Sequence, residues 1–258
     1  MRLSIVTAFL LAVPFAVVAQ SPTPLPTHAA AAQPPGAVRT LAELTSADDP
    51  AWPLVQQWVA AAASAEILPV DKARADETLT QLQVTLHATM GAVAYHTGGI
   101  LIDHGWLRIL GSGSDRMTRS IPSWNNGKAP LDATGRPMFV LVADDVLGGL
   151  FAIDGGALGT HPGNVFYFAP DTLQWQDLSI GYTEFLAWAL TPRLDRFYRD
   201  SRWPGWQDEV GGISGDSALL VYPFLSAEGP AIAQRSRKVV PLAQLYRLDL
   251  DIVKQLGQ

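Results

Sequence analysis

Two adjacent carboxylates, Asp144 and Asp145, end one apolar run, and a third, Asp154, ends the next. Carboxylates that converge can hold a divalent cation or divide acid and base roles between them. Strand geometry limits this pair: successive side chains point to opposite faces, so Asp144 and Asp145 share a face only if a turn begins there. Asp also favours turns by bonding its own backbone two residues on. Turn chemistry is the reading for both, with ligand or metal binding and catalysis as alternatives, and on it Asp144→Asn with Asp145→Asn changes stability modestly. The histidines, His28, His87, His96, His104 and His161, form no His-Glu-x-x-His run and no i, i+4 pair. His96 and His104 as metal ligands therefore stand against polar or surface roles. Gly111-Ser112-Gly113-Ser114 is no nucleophile elbow, and Arg116 stands where a dinucleotide fingerprint needs its third Gly. It reads as a surface turn, in which Ser112→Ala costs little.

The aromatic residues offer binding rather than catalysis. Phe197, Tyr198, Trp203 and Trp206 are interleaved with Arg196, Arg199 and Arg202, a composition that resembles interface hot spots. The alternative packs Trp203 and Trp206 between a helix and the sheet. The candidate binding residues are Trp106, Arg108, Asp144, Asp145, Arg202, Trp203 and Trp206. No residue is assigned to catalysis or to a metal, and no cofactor is called for.

These residues must be positioned by helices at both ends of the chain and strands between. Trp52 to Ala63 places Leu54, Val55, Trp58, Val59 and Ala62 at helical spacing, with Asp48 or Asp49 as N-cap. Asp71 to Leu86 predicts a second helix. From Val93 the texture becomes short apolar runs: 93–96, 100–103, 106–110, 138–143, 150–153 and 165–168 are strand-length and rich in β-branched or aromatic residues. Gly98-Gly99, Gly105, Gly148-Gly149, Gly155-Gly156 and Gly163-Asn164 join them, too tightly for parallel crossovers. Helical spacing returns at Phe185, Leu186, Ala189 and Leu190, and again from Leu242 to Leu256. The fold class is therefore α+β, a central, mostly antiparallel sheet with N-terminal and C-terminal helices packed on it. Arg235-Ser236-Arg237-Lys238 reads as a solvated loop.

Composition bounds the partners. With 258 residues, 48% hydrophobic, 16% charged, a net charge of −6 and no cysteine, the chain is globular, carries no disulfides or lipobox, and has no basic stripe for nucleic acid. Arg2, the apolar run Leu3 to Val18 and small residues up to Ala19 form a secretory signal peptide. The run is too short for a spanning helix, so no stable membrane span follows cleavage. Residues 20–40, rich in Pro and Ala, read as a disordered linker, and 41–258 as a single domain. The expected location is periplasmic or secreted.

The strings Gly105-Trp106-Leu107-Arg108-Ile109-Leu110-Gly111-Ser112-Gly113, Val142 to Ile153, Val165 to Leu173, Gly181 to Trp188 and Arg202-Trp203-Pro204-Gly205-Trp206 are similar to a bacterial family known as domain of unknown function 2625. The resemblance covers most of 41–258 and implies no activity. Residues 139–190 also resemble the SUKH superfamily in their order: strand, Gly-Gly turn, strand ending in Asp, a Val-Phe-Tyr-Phe strand, spacer, and a helix beginning Phe-Leu. That likeness implies a protein-binding module. Its immunity members meet toxins in the cytosol, and the leader departs from that setting.

Three function classes follow: a non-enzymatic protein-binding module, an envelope hydrolase or metal-dependent enzyme using Asp144, Asp145 and Asp154, and a cell-envelope structural or assembly factor. A deep pocket with converging carboxylates would mark the enzyme, and an exposed aromatic patch the binder. The leader carries its own test. N-terminal sequencing of the exported protein should begin at Gln20, whereas an intact Met1 in a soluble extracytoplasmic fraction would contradict signal cleavage.

Overall fold

A computed structural model describes residues 38–257; the leader and most of the linker lie outside the described residues. Order begins slightly before the expected boundary. Thr40 caps helix α1 (Leu41–Thr45) by accepting from the Glu43 amide, and the Arg39 amide donates to Gln83.

Seven strands form one antiparallel sheet in sequence order: β1 (Ala65–Ile67), β2 (Gly99–Ile102), β3 (Leu107–Leu110), β4 (Phe139–Asp145), β5 (Leu150–Asp154), β6 (Val165–Ala169) and β7 (Gln174–Asp177). Neighbours in space are neighbours in sequence because each connection is too short to cross the sheet. β8 (Ser217–Tyr222) and β9 (Ser236–Pro241) form a separate antiparallel pair. Both faces of the large sheet are apolar and both are covered. On one, Ile109, Ala143, Phe151 and Tyr167 pack beneath α2 (Trp52–Ala61), α6 (Tyr182–Ala189), α7 (Arg193–Phe197) and α8 (Trp206–Gly211). On the other, Leu110, Leu141, Ala152 and Phe168 join Trp124 of α5 (Ile121–Asn125) and Leu242 and Leu245 of α9 (Leu242–Leu256).

Five expectations change. Residues 93–96 belong to α4 (Thr89–His96) rather than a strand, since a short apolar run buried on all sides has no period to distinguish the two states. Gly91 lets α4 settle on the preceding turn, where a Cβ would lie 2.2 Å from the Thr85 carbonyl oxygen. Neither Asp48 nor Asp49 caps α2: its N-cap is Ala51, and Pro53 in the first turn sets the start. Arg235 to Lys238 is largely strand, with Arg237 and Lys238 in β9 paired to Val221 and Leu220. Ser112 is buried rather than in a surface turn, and its hydroxyl donates to the Thr97 carbonyl, so Ser112→Ala removes a buried hydrogen bond worth about 1 kcal/mol. The second helix is shorter than the predicted span. α3 covers Lys72–Leu82, with Asp71 accepting from the Arg74 amide and Gln83 left-handed at its end.

The β4–β5 hairpin turns through Gly148-Gly149, and the two glycines are needed for different reasons. Gly148 has φ +94°, whereas Gly149 is pressed so closely that a Cβ would lie 2.1 Å from Asp145 Oδ2 and 2.5 Å from the Tyr167 hydroxyl. Valine at either position should therefore cost on the order of 1–3 kcal/mol, one through backbone strain and the other through collision. Gly212→Val is the comparison, because a Cβ there meets nothing within 4 Å. Thermal melts should rank both hairpin variants well below the wild type and Gly212→Val near it. Hairpin variants that melt with the wild type would refute this account.

Candidate functional site

At the end of β4, strand alternation sends the two aspartates to opposite faces. Asp144 stands across from Arg108, and Asp145 across from Leu107. Asp144 is wholly buried on the α9 side. Its Oδ1 accepts from Arg108 Nε at 2.7 Å, and its Oδ2 from Arg119 Nη1 at 2.7 Å. Each guanidinium is satisfied further. Arg108 donates to the carbonyls of Ser217 and Asp145, and Arg119 to Asp216 and the Gly215 carbonyl. One carboxylate thus joins the β3–β4 ladder to the loop before α5 and to the start of β8.

Asp145 is equally buried on the other side. Its Oδ1 accepts the amides of Leu147 and Gly149, both at 2.9 Å. Its Oδ2 accepts the hydroxyls of Tyr167 at 2.8 Å and Tyr198 at 3.0 Å. Burial pushes its pKa up, against the pull of the Tyr167, Gly149 and Tyr198 donors and of Arg108. Burial and the neighbouring Asp145 hold both phenols well above their ordinary range, so they remain donors. A carboxylate offers about four lone-pair sites, and all four are occupied here. Asp145 therefore has no free lone pair with which to take a proton from a substrate.

The turn reading fits Asp145 and Asp154, whose Oδ1 accepts the amides of Gly156, Ala157 and Leu158. It is corrected for Asp144, which makes no turn bond and instead neutralises two arginines. The modest effect expected of the double Asn variant is corrected with it. Losing the charge of Asp144 leaves the buried Arg108 guanidinium without a counter-ion and Arg119 with Asp216 alone, a change that costs about 3–5 kcal/mol in comparable pairs.

The aromatic candidates pack inward. Trp106, Trp203 and Trp206 are all buried, with the Trp106 ring 5.7 Å from Trp203 and 5.1 Å from Trp206. Arg202 lies over Trp206, 4.2 Å from its ring centroid, and ion-pairs with Asp103 and Asp195. The packing alternative thus describes Trp203 and Trp206, and the binding alternative does not. His96 stacks on Trp52 at 4.8 Å, and burial lowers its pKa. The His104 ring meets Trp206 edge-on. Among the described residues no group of three or more His, Cys, Asp or Glu is placed to hold a metal ion.

An open cleft of about 490 Å³ lies over the β6–β7 end of the sheet, on the Asp145 side. Tyr167, Ala169 and Gln176 form its floor, Phe197, Tyr198, Asp200 and Ser201 one wall, and Leu225, 229–232 and Arg235 the other. Phe197 is partly exposed there, 5.1 Å from the Tyr167 ring and 4.8 Å from that of Tyr198. Sequence reasoning named Phe197 and Tyr198 but missed Tyr167 as their partner, because only the β6 register brings them together.

Asp249 was also missed, although its signal was present. It occupies the apolar stripe of α9 formed by Leu242, Leu245, Ile252 and Leu256. Burial, and then the charge of Asp145, push its carboxyl up to about 7 from an ordinary 3.8. The folded protein therefore holds a proton that the unfolded chain releases. The stability this contributes is full below about pH 4 and is lost as pH rises through about 7. Asp249→Asn should match the wild type in urea melts near pH 4 and exceed it by on the order of 1 kcal/mol or more above pH 7. A difference that stays constant with pH would contradict the shift.

A family model described as "Protein of unknown function DUF2625" matches residues 41–245. The uncharacterized protein YbfG of Escherichia coli (strain K12) is 42% identical over 227 residues, covering 86% of this chain and 100% of the relative. An uncharacterized protein of Haemophilus influenzae (strain ATCC 51907 / DSM 11121 / KW20 / Rd) is 39% identical over 212 residues, covering 81% of this chain and 93% of the relative. No solved structure matches. On the extent of the family match and of both relatives, the chain belongs to the DUF2625 family of proteins of unknown function.

Proposed function

We propose that the chain is an exported, non-enzymatic protein-binding module whose binding face is the cleft over β6 and β7. The observation that carries this reading is the contrast between carboxylates and cleft. Asp144 is held by two arginines and Asp145 by four donors, on opposite faces of the sheet, while the cleft beside them presents partly exposed aromatic and aliphatic side chains. A hydrolase built on Asp144, Asp145 and Asp154 would need those groups to converge. An envelope assembly factor would also need a binding face, and the same cleft serves that narrower reading.

Two further observations support the proposal. Residues 139–190 run as β4, the Gly148-Gly149 turn, β5, β6, β7 and α6, the order on which the resemblance to SUKH binding modules rests. Export rests on the charged and apolar leader of residues 1–19. Among the described residues no helix is long and apolar enough to cross a membrane.

The test is affinity capture of partners from the envelope fraction with the mature chain. Ala231→Trp fills the cleft from an exposed wall position, and Leu250→Ser alters an exposed position on α9. A partner retained by wild type and Leu250→Ser but lost by Ala231→Trp is the expected result. Capture unaffected by Ala231→Trp would reject the cleft as the binding face.

A further inference from the structure

The charges around the cleft are one-sided. Asp171 and Asp200 stand exposed at its margin, and among the described residues neither makes a hydrogen bond or an ion pair. Arg235 is the one cation among the lining residues, and it is turned into its own loop, donating to the carbonyls of Pro223, Phe224, Ala227 and Pro230. Arg196 and Arg199 belong to the neighbouring segment but do not line the cleft. The open charge is therefore negative.

The interior suits a cation with an apolar stem. Phe197 is the exposed ring of the cleft; it packs edge-on against the buried rings of Tyr167 at 71° and Tyr198 at 87°, and an exposed aromatic face attracts ammonium and guanidinium groups. Asp145 lies behind the two tyrosines and accepts both hydroxyl protons, which fixes the rings against which Phe197 stands. Leu147, Leu225 and Ile232 supply aliphatic wall for methylenes. β7 is the last strand of the sheet, so its outer edge is unpaired among the described residues, and Gln176 of that strand faces the cleft. An extended chain can add to such an edge through main-chain hydrogen bonds.

We propose that the cleft receives a lysine or arginine side chain carried on an extended segment of a partner protein. This rests on the binding-module reading and names the chemistry of its partner. The carboxylates attract the charge, the Phe197 ring holds the head group, and the β7 edge aligns the main chain. A free amine would satisfy only the first two.

The experiment uses the mature chain and fluorescent peptide pools of random sequence in which the central residue is fixed as lysine or arginine, norleucine, or glutamate. Anisotropy should show the basic pools binding at least about tenfold more tightly than the others, and more weakly as salt rises. Asp171→Asn with Asp200→Asn, both exposed and unpartnered, should weaken the basic pools about tenfold, and Ala231→Trp should abolish binding. Equal binding of all pools, binding of none, or indifference to the double Asn variant would overturn the proposal. Competition by n-butylamine as effective as by a basic peptide would overturn the extended-segment part. Envelope capture separates the two levels: a partner lost by Ala231→Trp but kept by the double Asn variant refutes the cation and leaves the module, whereas capture indifferent to both refutes the cleft as the module's binding face.

Discussion

The fold depends on burying two neighbouring negative charges on opposite sides of one sheet. Neither burial is tolerable alone, because an unpaired ion in a low-dielectric interior costs several kcal/mol. The chain satisfies each in a different way. Asp144 is met by charge, through Arg108 and Arg119, and Asp145 by dipoles, through two phenols and two amides. Arg108 joins the two solutions, since the guanidinium that neutralises Asp144 also donates to the Asp145 carbonyl. Segments far apart in sequence are thereby tied to one hairpin: the loop before α5, the start of β8, the middle of β6 and the residue that follows α7.

The cleft inherits its shape from these ties. Tyr198 is held by its hydroxyl to Asp145, and that bond fixes the wall on which Phe197 stands. The opposite wall is organised separately by Arg235, whose guanidinium gathers four carbonyls of a loop with little regular structure. An arginine used in this way cannot also recognise an anion, which is why a basic residue in the lining does not make the cleft basic.

Much of the sheet was legible because its strands alternate with glycine-rich turns, and five of the six predicted runs fall on β2 to β6. The exceptions have physical reasons. Residues 93–96 are apolar on every side and carry no period. β7, of sequence Gln-Trp-Gln-Asp, is a polar edge strand without an apolar run to announce it. The network around Asp144 was hidden for another reason. Arg119 and Asp216 lie in loops, where no spacing rule connects them to β4, and only tertiary packing brings them to Arg108. The tryptophans illustrate the reverse: composition alone cannot separate a packed cluster from an exposed one, and Trp106, Trp203 and Trp206 close on one another.

The Asp-Asp dipeptide has a consequence for how the chain finds a single pairing. A slip of β4 by one residue would exchange the two carboxylates, presenting Asp144 to the tyrosines and Asp145 to the arginines. The carboxylate beside the phenols would then lose both turn amides, and the guanidiniums would face a side chain still committed to the hairpin. Hydrophobic side chains could tolerate such an exchange, because both faces of β4 are apolar. The aspartates could not, so they act as a key that fits the lock in one orientation, and the uniqueness of the fold rests on a pair of charges rather than on the oil around them.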